Sequence, residues 1–290
     1  LMVIVLGGIF AALSMALCNA LAQIEMDWLY FAIMGMLAIF LGAFGSVFNT
    51  YTSLYLSKDN DLLLSMPIPV NTIMISKLLS VYLMGLMYCA VVIVPAVIVY
   101  WITVSATVST VLGALLLIVL ISIFVLTLSC ALGWVVAKIS LKIKHKSFIT
   151  VIISLVFIGA YYFVYFKAQS LLSDLIANAA LYGEKIKGAA YPLYLFGRVA
   201  IGDGIAIITI TITVLLLFAL MWLLISRSYL KIATSTGHST KNVYKRNATK
   251  QKSATMALLQ KESRRFLSSP NYILNCGLGT LLMPIGGIAL

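Results

Sequence analysis

Seven windows of this chain run for about twenty residues almost without charge, the length a helix needs to cross a bilayer while satisfying its own backbone hydrogen bonds. They are Leu1–Ala22, Trp28–Phe48, Leu78–Ile102, Val111–Ala137, Phe148–Phe166, Ile205–Ile225 and Asn271–Leu290. Charged residues make up 10% of the sequence, against about a quarter in soluble domains, and hydrophobic ones 62%. The expected fold class is therefore all-α, a polytopic transmembrane helix bundle of six spans plus the start of a second half. The chain begins at Leu1 inside one window and stops at Leu290 inside another, so the expectation is a piece of a longer protein, truncated at its N-terminus. Leu1–Ala22 has neither a basic lead nor a small-residue cleavage site, which argues against a removable signal peptide.

Basic residues resist translocation and collect on the cytoplasmic side. Lys58 and Lys77, then Lys138, Lys142, Lys144 and Lys146, then ten residues from Arg227 to Arg265 make sixteen in one set of alternate loops. The other set holds four, Lys167, Lys185, Lys187 and Arg198. The first set is read as cytoplasmic, and the native N-terminus with it. A net charge of +12 raises nucleic acid as a partner, but these cations flank spans and lack interleaved aromatics. Topology and anionic lipid account for them, so the lipid bilayer is an expected partner and nucleic acid is not. The four cysteines, at unrelated spacings inside the windows, suit apolar packing rather than disulfides or metal.

None of the seven windows contains Asp, Glu, Lys, Arg or His. Such residues cost about 2.5–3.5 kcal/mol at mid-membrane and usually mark function there, so proton carriage, voltage sensing and intramembrane proteolysis lack their groups. His145 and His238 fall in basic loops, and no Gly-rich phosphate loop precedes Lys146-Ser147. No catalytic residue, metal site or cofactor is expected in this chain. Gly35, Ala38, Gly42, Gly45 and Ser46, and Gly8 with Ala12, form small-residue stripes that let helices approach closely. Pro95 removes one backbone bond in mid-span and can kink its helix.

Between the second and third windows lies LSKDNDLLLSMPIPVNTIMISK, residues 56–77. Ser57 or Asp59 can cap a short helix, Asp59 and Asp61 suit its positive end, and Pro67 and Pro69 stop it. A residue before proline avoids helix, so Met66 and Ile68 should be extended and a new helix should restart near Asn71. Leu62, Leu63 and Leu64 give this cytoplasmic helix–turn–helix an apolar surface suited to docking, or to lying against headgroups. The motif formed by Ser57, Lys58, Asp59, Leu63, Leu64, Pro67, Ile68 and Lys77 resembles the cytoplasmic loop of ABC-2-type permeases, the membrane subunits of ATP-binding-cassette exporters. The resemblance is closest to the large permeases of Gram-positive bacteria, and it implies a multi-pass bacterial cell-membrane protein. It further implies that this loop contacts a separate ABC ATPase subunit, which carries the ATP and Mg.

Ala257–Leu290 is similar to the amphipathic elbow helix and first span that open a permease half in the same family. Leu258, Leu259, Phe266 and Leu267 can enter the interface while Lys261, Glu262, Arg264 and Arg265 stay wet, and Pro270 ends the segment. The expected organisation is a six-span domain over 1–225, a basic linker over 226–255, and an elbow with the first span of a second half over 256–290. The partner across the membrane would be a second permease half or a second copy. On the outer side, Leu171, Leu172, Leu175, Ile176, Ala179 and Tyr182 recur at helical spacing, with Gly183 as the stop. Such a helix would lie on the outer leaflet, cap a path or pack on the bundle. The expected function is a non-enzymatic transport subunit. Its rivals are a membrane assembly or sensor protein, and a lipid-modifying enzyme for which only Asp59 and Asp61 offer an acidic pair.

Overall fold

The computed structural model describes residues 2–56, 59–104, 107–142, 177–235 and 253–268, with 167, 170 and 174 singly. Among them there is no strand. The helices are α1 (Met2–Ala22), α2 (Asp27–Tyr51), α3 (Asp59–Ser65), α4 (Val70–Thr103), α5 (Val108–Lys142), α6 (Ala179–Ala189), α7 (Tyr191–Ile201), α8 (Gly204–Ser235) and α9 (Ala254–Ser268), with a π-helical turn at Thr52–Leu56 after α2. Five stretches are long and apolar enough to cross a bilayer: Val3–Ala22, Asp27–Val47, Val70–Thr103, Val108–Lys138 and Gly204–Tyr229. They match five of the expected windows; Phe148–Phe166 and Asn271–Leu290 lie outside the described residues. The chain is an all-α polytopic bundle. It divides into two compact units, Leu1–Leu141 with Leu172–His238, and Lys142–Leu171 with Ser239–Leu290.

In the first unit, α4 packs along both α1 and α2. The small-residue stripe of α2 is where it meets its neighbours. A Cβ on Gly42 would sit 2.9 Å from Val125 and 3.2 Å from Cys89, and one on Gly45 3.2 Å from the Tyr88 ring. Ala38 and Ser46 are fully buried. Gly8, by contrast, has nothing within 4 Å of where its Cβ would lie, so the α1 stripe makes no such close contact among the described residues. Three buried hydroxyls return their protons to their own helix: Ser46 donates to Gly42 O (2.6 Å), Thr50 to Ser46 O (2.8 Å) and Thr127 to Ile123 O (2.9 Å). That is the cheapest satisfaction available where water is absent. Helix α4 continues through Pro95, and the Tyr30 hydroxyl donates to the carbonyl of Ala96 next to it, at 2.8 Å.

Two apolar cores stack along the bundle. The first joins Leu17 and Leu21 of α1, Leu29 to Ala38 of α2, Val92 to Tyr100 of α4, Leu117 to Val125 of α5, and the buried face of α7. The other joins Leu54 and Tyr55 to Met74, Leu78 and Val81 of α4, Leu126 to Ala137 of α5, and Met221 to Tyr229 of α8. Helices α4, α5 and α8 have 34, 35 and 32 residues, roughly 50 Å of helix against about 30 Å of hydrocarbon.

The segment before α8 departs from expectation. Gly183 does not stop a helix but lies inside α6, buried, where a Cβ would meet Met26 and Trp28. Helix α7 then packs against α2 and α8, with Leu195, Phe196, Val199 and Ala200 buried, and Phe196 reaches the Phe124 ring of α5 at 5.7 Å between centroids. Of the residues on which a helix was expected in this segment, Leu171, Leu172, Leu175 and Ile176 lie outside the described residues, while Ala179 is buried and Tyr182 exposed on α6.

A helix–turn–helix between two spans as candidate functional site

The site builds on the π-helical turn. Its wider turn inserts Leu54 and Tyr55 into the second core, where both are buried and the Tyr55 ring lies 6.3 Å from that of Tyr229. Burial pushes the Tyr55 phenol well above its ordinary pKa, so it stays neutral. Such turns leave carbonyls out of the regular ladder. Lys77 reaches back across the loop and donates from Nζ to the carbonyl of Ser53 at 3.0 Å. Lys77, one of the eight motif residues, is thus a brace that ties α4 to the turn at the end of α2.

Above this base, α3 ends where Ser65 donates its hydroxyl to Leu62 O (2.7 Å) and Met66 N–H reaches Leu63 O (3.4 Å). The Ile68 N–H then closes a tight turn over Pro67 onto Met66 O (2.8 Å). Pro69 is extended (φ −58°, ψ 132°), and its carbonyl accepts from Thr72 N–H (2.9 Å), which starts α4 at Val70, one residue before the expected Asn71. The two prolines act as expected, each holding its predecessor out of the helical ladder.

The structure places the predicted residues unevenly. Asp59 is exposed at the first turn of α3, Pro67 and Pro69 are exposed at the bend, and Leu63 and Leu64 are half-buried. Ser57 and Lys58, and the side chain of Asp61, lie outside the described residues. The outward apolar surface consists of Leu62 at 61% exposure, Met66 at 42% and Ile68 at 37%. Sequence reasoning missed Met66 and Ile68 as part of that surface, although the Met-Pro-Ile-Pro pattern that holds them out of both helices was the available signal. It also missed Trp134, which donates to the Ser228 hydroxyl (3.1 Å) and carries Lys138 over its ring at 3.7 Å, fastening α5 to α8 beneath the site. In α9, Lys261, Glu262 and Arg265 are exposed; Arg264 and Phe266 belong to that helix, and their side chains lie outside the described set. Among the described residues, no three His, Cys, Asp or Glu side chains come together as metal ligands would.

No curated protein and no solved structure matches this chain. The likeness to ABC-2-type permeases is overturned by a family comparison, in which residues 1–285 match a different family, described as membrane protein of 12 TMs. The physical reason is visible in the site. The eight motif residues carry helix-start, proline-stop and helix-restart chemistry, which any chain needs to turn between two spans, so the motif does not single out one family. The match covers nearly all of the sequence, and the chain belongs to this family of twelve-span membrane proteins.

Proposed function

We propose that this chain is a non-catalytic transport subunit of the cell membrane, moved by a separate cytoplasmic subunit that hydrolyses ATP and grips the turn between α3 and α4. One observation carries the reading: Leu62, Met66 and Ile68 are exposed on a bend that is braced from below by Lys77 on Ser53 and by buried Leu54 and Tyr55. A force applied there passes into α2 and α4 together rather than being absorbed by a slack loop. The partner does work only if it binds one arrangement of those helices more tightly than another, since equal affinity for both shifts nothing. ATP and Mg would reside on the partner. Because α8 runs to Ser235 and α9 begins at Ala254, the linker expected over 226–255 shortens to the residues between these helices, and together with the elbow and first span expected over 256–290 it is read as the join to a second set of spans, in keeping with a family of twelve.

The test is capture of an ATP-hydrolysing partner by the full chain in native membranes, with in-cell cross-linking. Leu62→Ser with Ile68→Ser should reduce capture at least ten-fold while leaving insertion and thermal stability unchanged. Lys77→Met should reduce both capture and stability, because it loosens the brace. Undiminished capture by a chain lacking Asp59–Pro69 rejects the proposal, and capture of a partner without ATPase activity favours an assembly or sensor role instead.

A further inference from the structure

Helix α9 (Ala254–Ser268) has a composition unlike that of the spans: apolar residues gather on one side, basic ones on the other, and the helix is polar on average. Met256 and Leu259 are exposed at 57% and 67%. They share one side of the helix, since residues three apart are neighbours on its surface. Lys261 and Arg265, four apart, share another. Leu259 and Lys261 are roughly 160° apart around the axis. Leu258, expected from sequence to enter the interface, falls instead by register on the basic side, at 60% exposure.

We propose that α9 is a docking surface for anionic phospholipid, lying in the headgroup layer with Met256 and Leu259 toward the acyl chains and Lys261 and Arg265 on lipid phosphates. Charge complementarity selects the occupant. From Arg227 to Arg265 the sequence holds ten basic residues and one acidic residue, Glu262, so an acidic surface gains at each basic position. One-sided apolarity, a cationic opposite face and low total hydrophobicity together suit a helix that rests on a membrane without crossing it. The bilayer is also within reach: α8, whose Gly204–Tyr229 stretch is long and apolar enough to span, ends at Ser235, and 18 residues connect it to α9. This inference is independent of the docking of a cytoplasmic partner at the turn between α3 and α4.

The experiment uses the full chain in nanodiscs, with Cys276→Ala to remove one native thiol, Cys18, Cys89 and Cys130 being buried. An environment-sensitive fluorophore is attached at Leu259→Cys or, on the other side, at Ala257→Cys. In phosphatidylcholine with about a third phosphatidylglycerol, the probe at 259 should be blue-shifted and several-fold brighter than the probe at 257. Lys261→Glu with Arg265→Glu should then shift the docked-to-undocked ratio at least ten-fold, and high salt should act in the same direction. Identical spectra at 257 and 259 would overturn the proposal, whether the helix is then in water or on a protein. A blue shift at 259 that is equal in pure phosphatidylcholine and indifferent to charge reversal would overturn the recognition of anionic lipid. Lys261→Gln with Arg265→Gln repeats the comparison should charge reversal prevent insertion.

Discussion

Close approach in this bundle is decided by single hydrogen atoms. A Cβ on Gly197 would fall on the carbonyl oxygen of Trp28, and one on Gly113 on that of Val199. The obstacle in both places is backbone, which cannot rotate away as the end of a long side chain can. Gly197→Ala and Gly113→Ala should each force helices apart and cost about 1–3 kcal/mol or more. In a chain of this size that lowers the melting temperature by several degrees, at roughly 2–4 °C per kcal/mol. Gly8→Ala meets nothing within 4 Å and should be neutral or slightly stabilising, since Ala is the better helix former. Thermal unfolding of the three variants in one detergent checks the contrast. Equal melting temperatures would mean that α7 does not sit against α2 and α5 as described.

At the scale of elements, the turn from α7 into α8 shows which contacts hold a short helix in place. Gly202 has φ +90°, and a Cβ there would also lie 2.7 Å from the Ser109 carbonyl oxygen. Its N–H closes onto Val199 O (3.0 Å), the Asp203 N–H onto Arg198 O (3.2 Å), and the Asp203 carboxylate accepts from Ile205 N–H (3.1 Å). Arg198 and Asp203 also form an ion pair at 2.8 Å, but the Arg198 side chain is 45% exposed. Gly202→Ala should therefore destabilise most, through both strain and collision. Asp203→Ala should lose about 1 kcal/mol with its cap, and Arg198→Ala within about 0.5 kcal/mol. Measuring the three melting temperatures tests that order; an Arg198→Ala loss as large as that of Gly202→Ala would reverse it.

The same element marks the limit of what the sequence disclosed. The spans were legible because a bilayer demands long uncharged runs, and the bend at 66–69 because proline chemistry is local. Helix α7 was not, since 11 residues including Arg198 are too short to read as a span and too apolar at Leu195, Phe196 and Val199 to read as a surface. Gly183 looked like a terminator because close approach to Met26 and Trp28 can be seen only when both partners are in place. The bracing of Ser53 by Lys77 was hidden for a related reason: nothing local distinguishes that lysine from one set there by topology.

For the whole molecule, the distribution of charge makes one statement about orientation. By sequence, sixteen of the twenty basic residues fall in the set of alternate loops that includes the turn between α3 and α4, and basic residues resist translocation. The opposite side holds α6 and α7, with Lys185, Lys187 and Arg198. Single cysteines at exposed positions read this directly. Ser65→Cys, in the bend, should resist a membrane-impermeant maleimide in intact cells and react after permeabilisation. Leu181→Cys, on α6, should react in both conditions, and buried Cys18, Cys89 and Cys130 add little background. Moving charge should move the answer: replacing Lys138 and Lys142 with Gln weakens the bias that retains this end of α5, so a minor population should label at position 65 in intact cells. Labelling of Ser65→Cys in intact cells without that change would place the turn outside, where no ATP-hydrolysing subunit could reach it. The proposed docking would then fail, while the helix bundle itself would stand.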